Sequence, residues 1–218
     1  MKHGYTNETT REQNVVRKVY EGPDAEQRAD AEYRALTALA GRFPVPGAVS
    51  HEPGALVVGF VEGQHGQDRI DLGHAAEVLR ECGRVLRLLH SLDPCLLDEY
   101  AGADAVIQHG DFGPNNVLFA SEPFHVTAVL DWEFSGTGHA IADVAWCEWI
   151  VRMHHPDAVP ALAHFFDAYG ARPTWQERQR EMLRRCQALG EFSRRWDSEG
   201  PGVRVWQERT EIVASWAE

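Results

Sequence analysis

The 218-residue chain has 21 Lys and Arg residues against 33 Asp and Glu residues, which gives a formal net charge of −12. Such acidity disfavours nucleic acid as a partner and would attract a cationic small substrate, although it can also serve solubility alone. With 44% hydrophobic and 25% charged residues, the composition is that of a globular protein with room for one domain or two small lobes.

No apolar run in the sequence is long enough to cross a membrane, and the polar residues 1–13 lack the pattern of a signal peptide. We therefore expect a cytoplasmic protein without a membrane partner. The cysteines lack metal-ligand spacing and three fall in predicted helices, so reduced core thiols are favoured over disulfides. The four cysteines of the chain are Cys82, Cys95, Cys147 and Cys186.

The first sixty residues predict a small lobe of mixed helix and strand. Residues 15–20 are β-prone and are followed by the breaker pair Gly22-Pro23. From Asp24 the apolar residues recur at helical spacing as far as Gly41, a typical helix stop. Residues 55–61 form a second apolar run and predict a strand.

Beyond residue 63 the apolar pattern is mostly helical. Thr174 and Glu177 have the spacing of a capping box at the start of one helix. Helices are predicted over residues 71–90, 140–153, 156–169, 174–196 and from 202 to the end. The sequence therefore predicts an α+β fold of two lobes, residues 1–63 with a hinge and the helical residues 64–218, with a cleft between them.

A predicted hairpin interrupts the helices between His109 and Asp131. Residues 117–119 and 126–130 are β-prone, and they flank a breaker cluster at 121–123 that contains a proline. Such a hairpin fixes which polar side chains meet at its open end.

The pairing within this hairpin places two oxygen-bearing side chains together. With Ala120 opposite Val126, antiparallel pairing sets Asn116 opposite Leu130 and next to Asp131. Side chains at such positions lie about 5–8 Å apart. One Mg²⁺ can span that gap, because it takes few protein ligands and leaves other positions to phosphate oxygens and water.

Asp111 lies five residues before Asn116, in the loop that enters the hairpin. An aspartate, an asparagine five residues later and an aspartate after a hairpin have the order of the phosphoryl-transfer site of protein kinases. The triplets HGD at 109–111 and DWE at 131–133 resemble those of the aminoglycoside phosphotransferase and choline kinase family, a branch of the protein-kinase-like fold.

This resemblance implies a fold and an activity. We expect a two-lobed protein-kinase-like fold, with a small strand-rich N-terminal lobe whose first strand is reduced and a larger helical C-terminal lobe. The activity would be Mg²⁺-dependent transfer of the γ-phosphoryl of ATP or GTP to a hydroxyl of a small molecule. An aminoglycoside, choline, homoserine or another metabolite could be the acceptor. A pseudokinase-like module that binds nucleotide without turnover is the alternative.

Three residues of this segment are expected to carry the chemistry. Asp111 would orient the acceptor hydroxyl and accept its proton, although alone it could be a turn residue. Asn116 and Asp131 would hold Mg²⁺ through one neutral and one anionic ligand, although a strand cap and a turn aspartate are the ordinary interpretations. His109 would brace the loop. Asp143 would support it through backbone amides, unless it is a solvated residue at a helix start.

Lys18 is the predicted phosphate-holding lysine, in the run VRKV that follows the kinase VAIK layout. Strand alternation puts Val16 and Lys18 on one face and Arg17 on the other, and Arg17 stays an alternative. Glu32 on the following helix would pair with the lysine as in kinases, with Glu26 as the competing candidate.

Two backbone segments are also predicted to contact the nucleotide. In the hinge, main-chain groups of residues 59–62, including Gly59 and Val61, would read the adenine edge, although the segment also fits an ordinary buried strand. Residues 4–9, GYTNET, resemble the Gly-x-Thr-Asn loop that covers phosphates in the family.

The acceptor site is predicted in the helical lobe. Glu133, Glu148 and Asp167, with Trp146 and Trp149, could form an acidic, aromatic-lined pocket for an amine-bearing alcohol. Tryptophans at helical spacing are more often core residues.

Overall fold

The computed structural model describes residues 7–218, so residues 4–6 of the predicted phosphate loop lie outside the described chain. The N-terminal described residues form a four-stranded antiparallel sheet in the order β1-β2-β4-β3, with one helix. Its elements are β1 (Asn7–Glu12), β2 (Val15–Tyr20), α1 (Ala25–Leu39), β3 (Ala48–Glu52) and β4 (Ala55–Gly59).

The two central strands and the helix of this lobe lie where the sequence predicts them, although β4 ends two residues early. The edge strands β1 and β3 were not predicted. Their sequences NETTRE and AVSHE are largely exposed and lack alternation of apolar residues, as is typical of edge strands. Residues 7–9, expected in the phosphate loop, belong to β1.

The rest of the chain is mainly helical. Its helices are α2 (Gly66–Asp71), α3 (Ala75–His90), α4 (Ile141–His154), α5 (Leu162–Tyr169), α6 (Trp175–Trp196) and α7 (Pro201–Ser215). The capping box of Thr174 and Glu177 at the start of α6 is confirmed.

Two predicted helices are interrupted. The helix expected over residues 71–90 is broken by Gly73, whose φ of +94° no helix can continue, and Leu72 is exposed. The segment Pro156–Ala161 is a 3-10 helix that precedes α5. Pro160 within it has no N–H to donate and its ring crowds the preceding turn.

Short strands support the segment between α3 and α4. They are β5 (Gln64–His65), β6 (Val106–Gln108), β7 (Val117–Ala120), β8 (His125–Val129) and β9 (Gly136–Gly138). Strands β5, β7 and β8 form one sheet, and β6 pairs with β9. The chain therefore leaves the first sheet between Gly59 and Gln64, while the exact division of the chain at residue 63 stays a prediction.

The β7–β8 hairpin has the predicted register at its open end and differs by one residue near its turn. Ala120 pairs with His125 and not with Val126. A β-bulge between the Leu118 and Phe119 pairs takes up this difference, with Thr127 of β8 as the extra, unpaired residue. Consequently the Leu130 N–H donates to the Asn116 carbonyl oxygen at 2.8 Å, as predicted.

One core cluster joins the two lobes, and a second lies where α4 packs against α6 and α7. Cys82, Cys147 and Cys186 are buried free thiols as predicted, whereas Cys95 is a free thiol on the surface and not in the core. Among the described helices, none combines the length and the apolar character that a membrane span requires.

Candidate active site

A cavity of about 1250 Å³ lies between the four-stranded sheet and the helical lobe. It is larger than most small-molecule sites, which measure roughly 300–1,000 Å³. The residues predicted to carry the chemistry and to contact the nucleotide within the described chain line it, namely Lys18, Glu32, Gly59, Val61, Asp111, Asn116 and Asp131. The fold therefore brings together residues that are more than a hundred positions apart in the chain.

His109 ties the loop that carries Asp111 to the hairpin. The Asp111 N–H donates to His109 Nδ1 at 3.1 Å, and His109 Nε2 donates to the Leu130 carbonyl oxygen at 2.8 Å. The imidazole is fully buried, with its ring centroid 4.5 Å from that of Trp132. The bracing role expected for His109 is confirmed.

Asp143, at the start of α4, holds the same loop from the other side. Its carboxylate accepts the backbone N–H groups of His109 at 2.8 Å and Gly110 at 2.9 Å, and Nε2 of His90 at 3.2 Å. Burial opposes the negative charge, but His90 outweighs it and holds the pKa of Asp143 below its ordinary value. The predicted support through backbone amides is confirmed, and the solvated alternative is wrong because Asp143 is fully buried.

Replacing Asp143 with Ala should destabilise the fold by about 2–5 kcal/mol, because the buried backbone N–H of His109 and the partly buried one of Gly110 lose their acceptor. The folded-state pKa is depressed, so this stabilisation is present above the ordinary value of 3.8 and is lost as the pH falls through the folded-state pKa. Urea unfolding at pH 7 and pH 3 should therefore show a large difference between wild type and variant at pH 7 and a smaller one at pH 3.

Asp167→Ala is the matched control, because Asp167 is an exposed carboxylate on α5. Its free energy of unfolding should stay close to that of the wild type. An Asp143→Ala variant as stable as this control at pH 7 would contradict the loop-supporting role.

Asp111 accepts three hydrogen bonds, which hold it in one orientation. Asn116 Nδ2 donates to the carbonyl oxygen of Asp111 at 2.8 Å and to its Oδ2 at 2.9 Å, and Trp146 Nε1 donates to Oδ1 at 2.7 Å. Burial, with the nearby charge of Asp131, raises the pKa of Asp111, while Arg185 opposes the rise. A carboxylate with a raised pKa is a better proton acceptor than an ordinary aspartate.

Lys18 lies between two carboxylates. Its Nζ is 2.6 Å from Glu32 Oε2 and 2.7 Å from Asp131 Oδ1. Burial opposes the positive charge, but Asp131 and Glu32 outweigh it and raise the pKa of Lys18 well above its ordinary value. The predicted Lys18–Glu32 pair is confirmed, and the competing partner Glu26 is exposed. Arg17, the alternative to Lys18, is also exposed and does not line the cavity.

Asp131 has an unusual backbone conformation directly after β8. Its φ is +69°, in the left-handed region that non-glycine residues seldom occupy and that aspartate tolerates better than most. This turn of the chain brings the carboxylate to Lys18 at the cavity. Burial opposes the charge, but Lys18 holds the pKa of Asp131 below its ordinary value. Backbone strain of this kind is typical of functional sites.

The predicted hinge offers fewer backbone donors than its length suggests. The Gly59 N–H donates to the Gly47 carbonyl oxygen, and the Phe60 N–H donates to that of Asn14, both at 2.8 Å. Within the described residues the Val61 N–H has no backbone acceptor. The backbone N–H of Val61, and not that of Gly59, is therefore available to donate a hydrogen bond to a nucleotide base.

The acidic wall expected at the acceptor site is not present. Glu133 forms a buried ion pair with Arg28, and Glu148 Oε2 lies 2.6 Å from Arg178 Nε. Asp167 is exposed on α5 and does not line the cavity. The expectation was wrong because the neutralising arginines lie far away in sequence.

The two predicted tryptophans line the cavity and are also members of the second core cluster, which is the alternative that the sequence left open. Trp146 and Trp149 stack at 4.2 Å and line the cavity, and Trp206 on α7 lies 5.7 Å from Trp149. Arg185 on α6 donates through Nη2 to the Gly110 carbonyl oxygen at 2.7 Å. No sequence signal places α6 and α7 at the cleft, because their apolar faces fit any helical packing.

The two lobes and the cleft define a protein-kinase-like fold, which solved structures share. The GDP complex of wild-type aminoglycoside 2'-phosphotransferase-IIIa has a TM-score of 0.73 at 12% identity, over 98% of this chain and 90% of that chain. The gentamicin complex of APH(2")-IIa has a TM-score of 0.69 at 13% identity, over 95% and 88% of the two chains. A choline/ethanolamine kinase family protein from Mesorhizobium loti has a TM-score of 0.65 at 15% identity, over 98% and 87%.

The sequence itself matches the model of APH, the phosphotransferase enzyme family, over residues 3–99 and 92–183. The chain therefore belongs to this family of phosphotransferases. The fold and the family resemblance predicted from the sequence are confirmed.

Curated relatives match only a segment of the chain. Acyl-CoA dehydrogenase family member 11 of Gallus gallus is 53% identical over 38 residues, which is 17% of this chain. Acyl-CoA dehydrogenase family member 10 of Mus musculus is 42% identical over 59 residues, or 27% of this chain. The matched segments span 5% of the length of each of these two relatives.

Proposed function

We propose that this chain transfers the γ-phosphoryl group of ATP or GTP directly to a hydroxyl group of a small molecule. The observation that carries this proposal is the arrangement around one cavity of a braced aspartate, Asp111, and a Lys18–Glu32 pair that also reaches Asp131. Solved relatives in complex with ATP and with GDP support a nucleotide as the donor. Complexes of relatives with streptomycin and gentamicin support a small-molecule acceptor.

Asp111 is the catalytic base in this proposal. Because Asn116 and Trp146 fix its carboxylate, the acceptor hydroxyl can be oriented before reaction. The hydroxyl oxygen attacks the γ-phosphorus in line, the bond from that phosphorus to the β–γ bridging oxygen breaks, and the hydroxyl proton passes to Asp111. The intact set of functional groups favours turnover over a pseudokinase role.

Lys18 holds the α- and β-phosphates in this proposal. Its Nζ remains anchored to Glu32 while the contact with Asp131 is exchanged for phosphate oxygens. Val61 would donate its backbone N–H to the nucleotide base, and Gly59 would contribute to the same edge of the cleft.

The donor atoms at the open end of the hairpin fit Mg²⁺. Both amide hydrogens of Asn116 are donated to Asp111, which leaves Asn116 Oδ1 as the ligand atom, and Lys18 contacts one oxygen of Asp131, which leaves the other. Mg²⁺ bound there would offset the negative charge of the triphosphate oxygens. The described residues contain no group of three His, Cys, Asp or Glu side chains suited to a metal, and a Mg²⁺ that also binds phosphate needs none.

The test is nucleotide-dependent stabilisation combined with turnover. Thermal unfolding of the chain is first followed with Mg-ATP and with Mg-GTP. Consumption of the nucleotide is then measured with aminoglycosides, amino alcohols, sugars and hydroxy acids as candidate acceptors. We expect stabilisation by at least one Mg-nucleotide and a phosphate monoester as the product in ³¹P NMR. If no Mg-nucleotide stabilises the chain and no acceptor is phosphorylated, the proposal is rejected. Free thiols suit the cytoplasmic location that we also propose.

A further inference from the structure

The acceptor end of the cavity, where α4, α6 and α7 meet, has few carboxylates available to a cation. Glu133 is engaged with Arg28, and Asp111 is needed for the acceptor hydroxyl. Asp197 lies exposed at the end of α6, where its Oδ1 accepts the Glu199 N–H at 3.2 Å. Beyond the catalytic aspartate, Asp197 is therefore the carboxylate that this end of the cavity offers to a polycationic acceptor within the described residues.

Arg185 projects from α6 into the same end of the cavity. The one hydrogen bond that it donates within the described residues goes to the Gly110 carbonyl oxygen, and it has no carboxylate within ion-pair distance there. Its Nε is buried without an acceptor, and burial lowers the pKa of the guanidinium. The guanidinium also lies against the Phe134 and Trp146 rings, with its carbon 5.0 and 5.6 Å from their centroids, and it is attracted by the charge of Asp111. These neighbours leave most of its N–H groups without acceptors among the described residues, and an anion would complete those hydrogen bonds.

The remaining surface at this end is mainly apolar and aromatic, with Arg209 as a second cation. Leu189, Phe192 and Val205 line it together with Trp206, and the Arg209 guanidinium carbon lies 4.6 Å from the centroid of the Trp206 ring. A ring or a short hydrocarbon body would bury apolar area against these side chains.

We infer that the acceptor is a hydroxyl compound with an apolar body and an anionic group, and that Arg185 binds this anionic group. This inference rests on the proposed phosphotransferase function and narrows its substrate class. The catalytic aspartate takes the hydroxyl end of the acceptor, and the guanidinium on α6 takes the charged end.

Three probes of nearly the same shape test how the charge of the acceptor affects binding and turnover. They are 4-(hydroxymethyl)benzoate, 4-(hydroxymethyl)benzamide and 4-(aminomethyl)benzyl alcohol, which share a ring and a reacting hydroxymethyl group and carry a negative, neutral or positive group opposite it. With saturating Mg-ATP, kcat/KM should be roughly tenfold higher for the benzoate than for the benzamide, and lowest for the amine. Calorimetric titration of each probe in the presence of Mg-AMP-PNP should give the same order of affinity.

Arg185→Gln and Arg184→Gln form a matched pair, because Arg184 is exposed on the same helix and pairs with Glu181. Arg185→Gln should raise the KM and Kd for the benzoate about tenfold, and should leave those for the benzamide and for ATP nearly unchanged. Arg184→Gln should change none of them.

Two results would overturn the inference. One is a kcat/KM and a calorimetric affinity of the wild type for the amine that equal or exceed those for the benzoate. The other is an equal fall in kcat for benzoate and benzamide in Arg185→Gln, which would place the guanidinium on the transferring phosphoryl group. If no probe is turned over and no Mg-nucleotide stabilises the chain, the proposed function fails, and titration of the benzoate without nucleotide into wild type and Arg185→Gln decides the anion site by itself.

Discussion

Asp111→Asn is expected to lower kcat by about 10²–10⁴-fold, the contribution of a general base. Asparagine keeps the size of the side chain and can still accept the hydrogen bond from Trp146 Nε1, but it cannot take a proton from the acceptor. The binding of Mg-nucleotide should change much less, because Lys18 and Glu32 remain in place. Steady-state kinetics with the best acceptor, alongside thermal unfolding with Mg-ATP, measures both quantities.

Asp104→Asn is the matched control for this variant, since Asp104 is exposed in the loop before β6. It should retain the kcat of the wild type. A kcat of Asp111→Asn equal to that of this control would remove the proposed base. Loss of nucleotide binding in Asp111→Asn would point instead to a structural role for the carboxylate.

Asp131→Asn is expected to abolish most of the Mg²⁺-dependent stabilisation by nucleotide. At a nucleotide concentration of 100 times Kd, the wild type should gain about 2.7 kcal/mol. For a chain of this size that corresponds to a rise in Tm of roughly 5–10 °C. The variant replaces the one anionic ligand that we propose for the metal with a neutral one, so the rise should nearly vanish and turnover should fall with it. The Lys18–Glu32 pair at 2.6 Å remains, so we expect the variant to fold.

A titration of Mg²⁺ at fixed nucleotide concentration checks this prediction directly. The Tm of the wild type should rise with Mg²⁺, and that of Asp131→Asn should not. Retention of the full Mg²⁺-dependent rise in the variant would exclude Asp131 as a metal ligand and would leave it only the ion pair with Lys18.

The catalytic segment could be predicted from the sequence because its geometry is local. Asp111, Asn116 and Asp131 are separated by one loop and one hairpin, so strand pairing alone brings the last two together. Even the one-residue difference at Ala120 did not move them, since the β-bulge restores the register before the open end. The Lys18–Glu32 pair was predictable for a different reason, namely the resemblance of the strand–helix unit to its kinase counterpart.

The acceptor end of the cavity could not be predicted because its charges are set by tertiary contacts. Glu148 and Glu133 look available in the sequence, yet Arg178 and Arg28 neutralise them from 30 and 105 residues away. The net charge of −12 therefore says little about the charge inside the cleft. The Arg184-Arg185 pair looks like a solvated helix face, and only the packing of α6 shows which arginine enters the cavity.

A crystal structure of the chain with Mn²⁺ and AMP-PNP, in which anomalous scattering locates the metal, would test the proposed metal site and catalytic base together. We expect a Mn²⁺ peak about 2.0–2.3 Å from Asn116 Oδ1 and from a carboxylate oxygen of Asp131. The γ-phosphate should lie between that metal and Asp111. A metal peak bound by neither Asn116 nor Asp131, or a nucleotide bound outside the cleft, would exclude this phosphotransferase site.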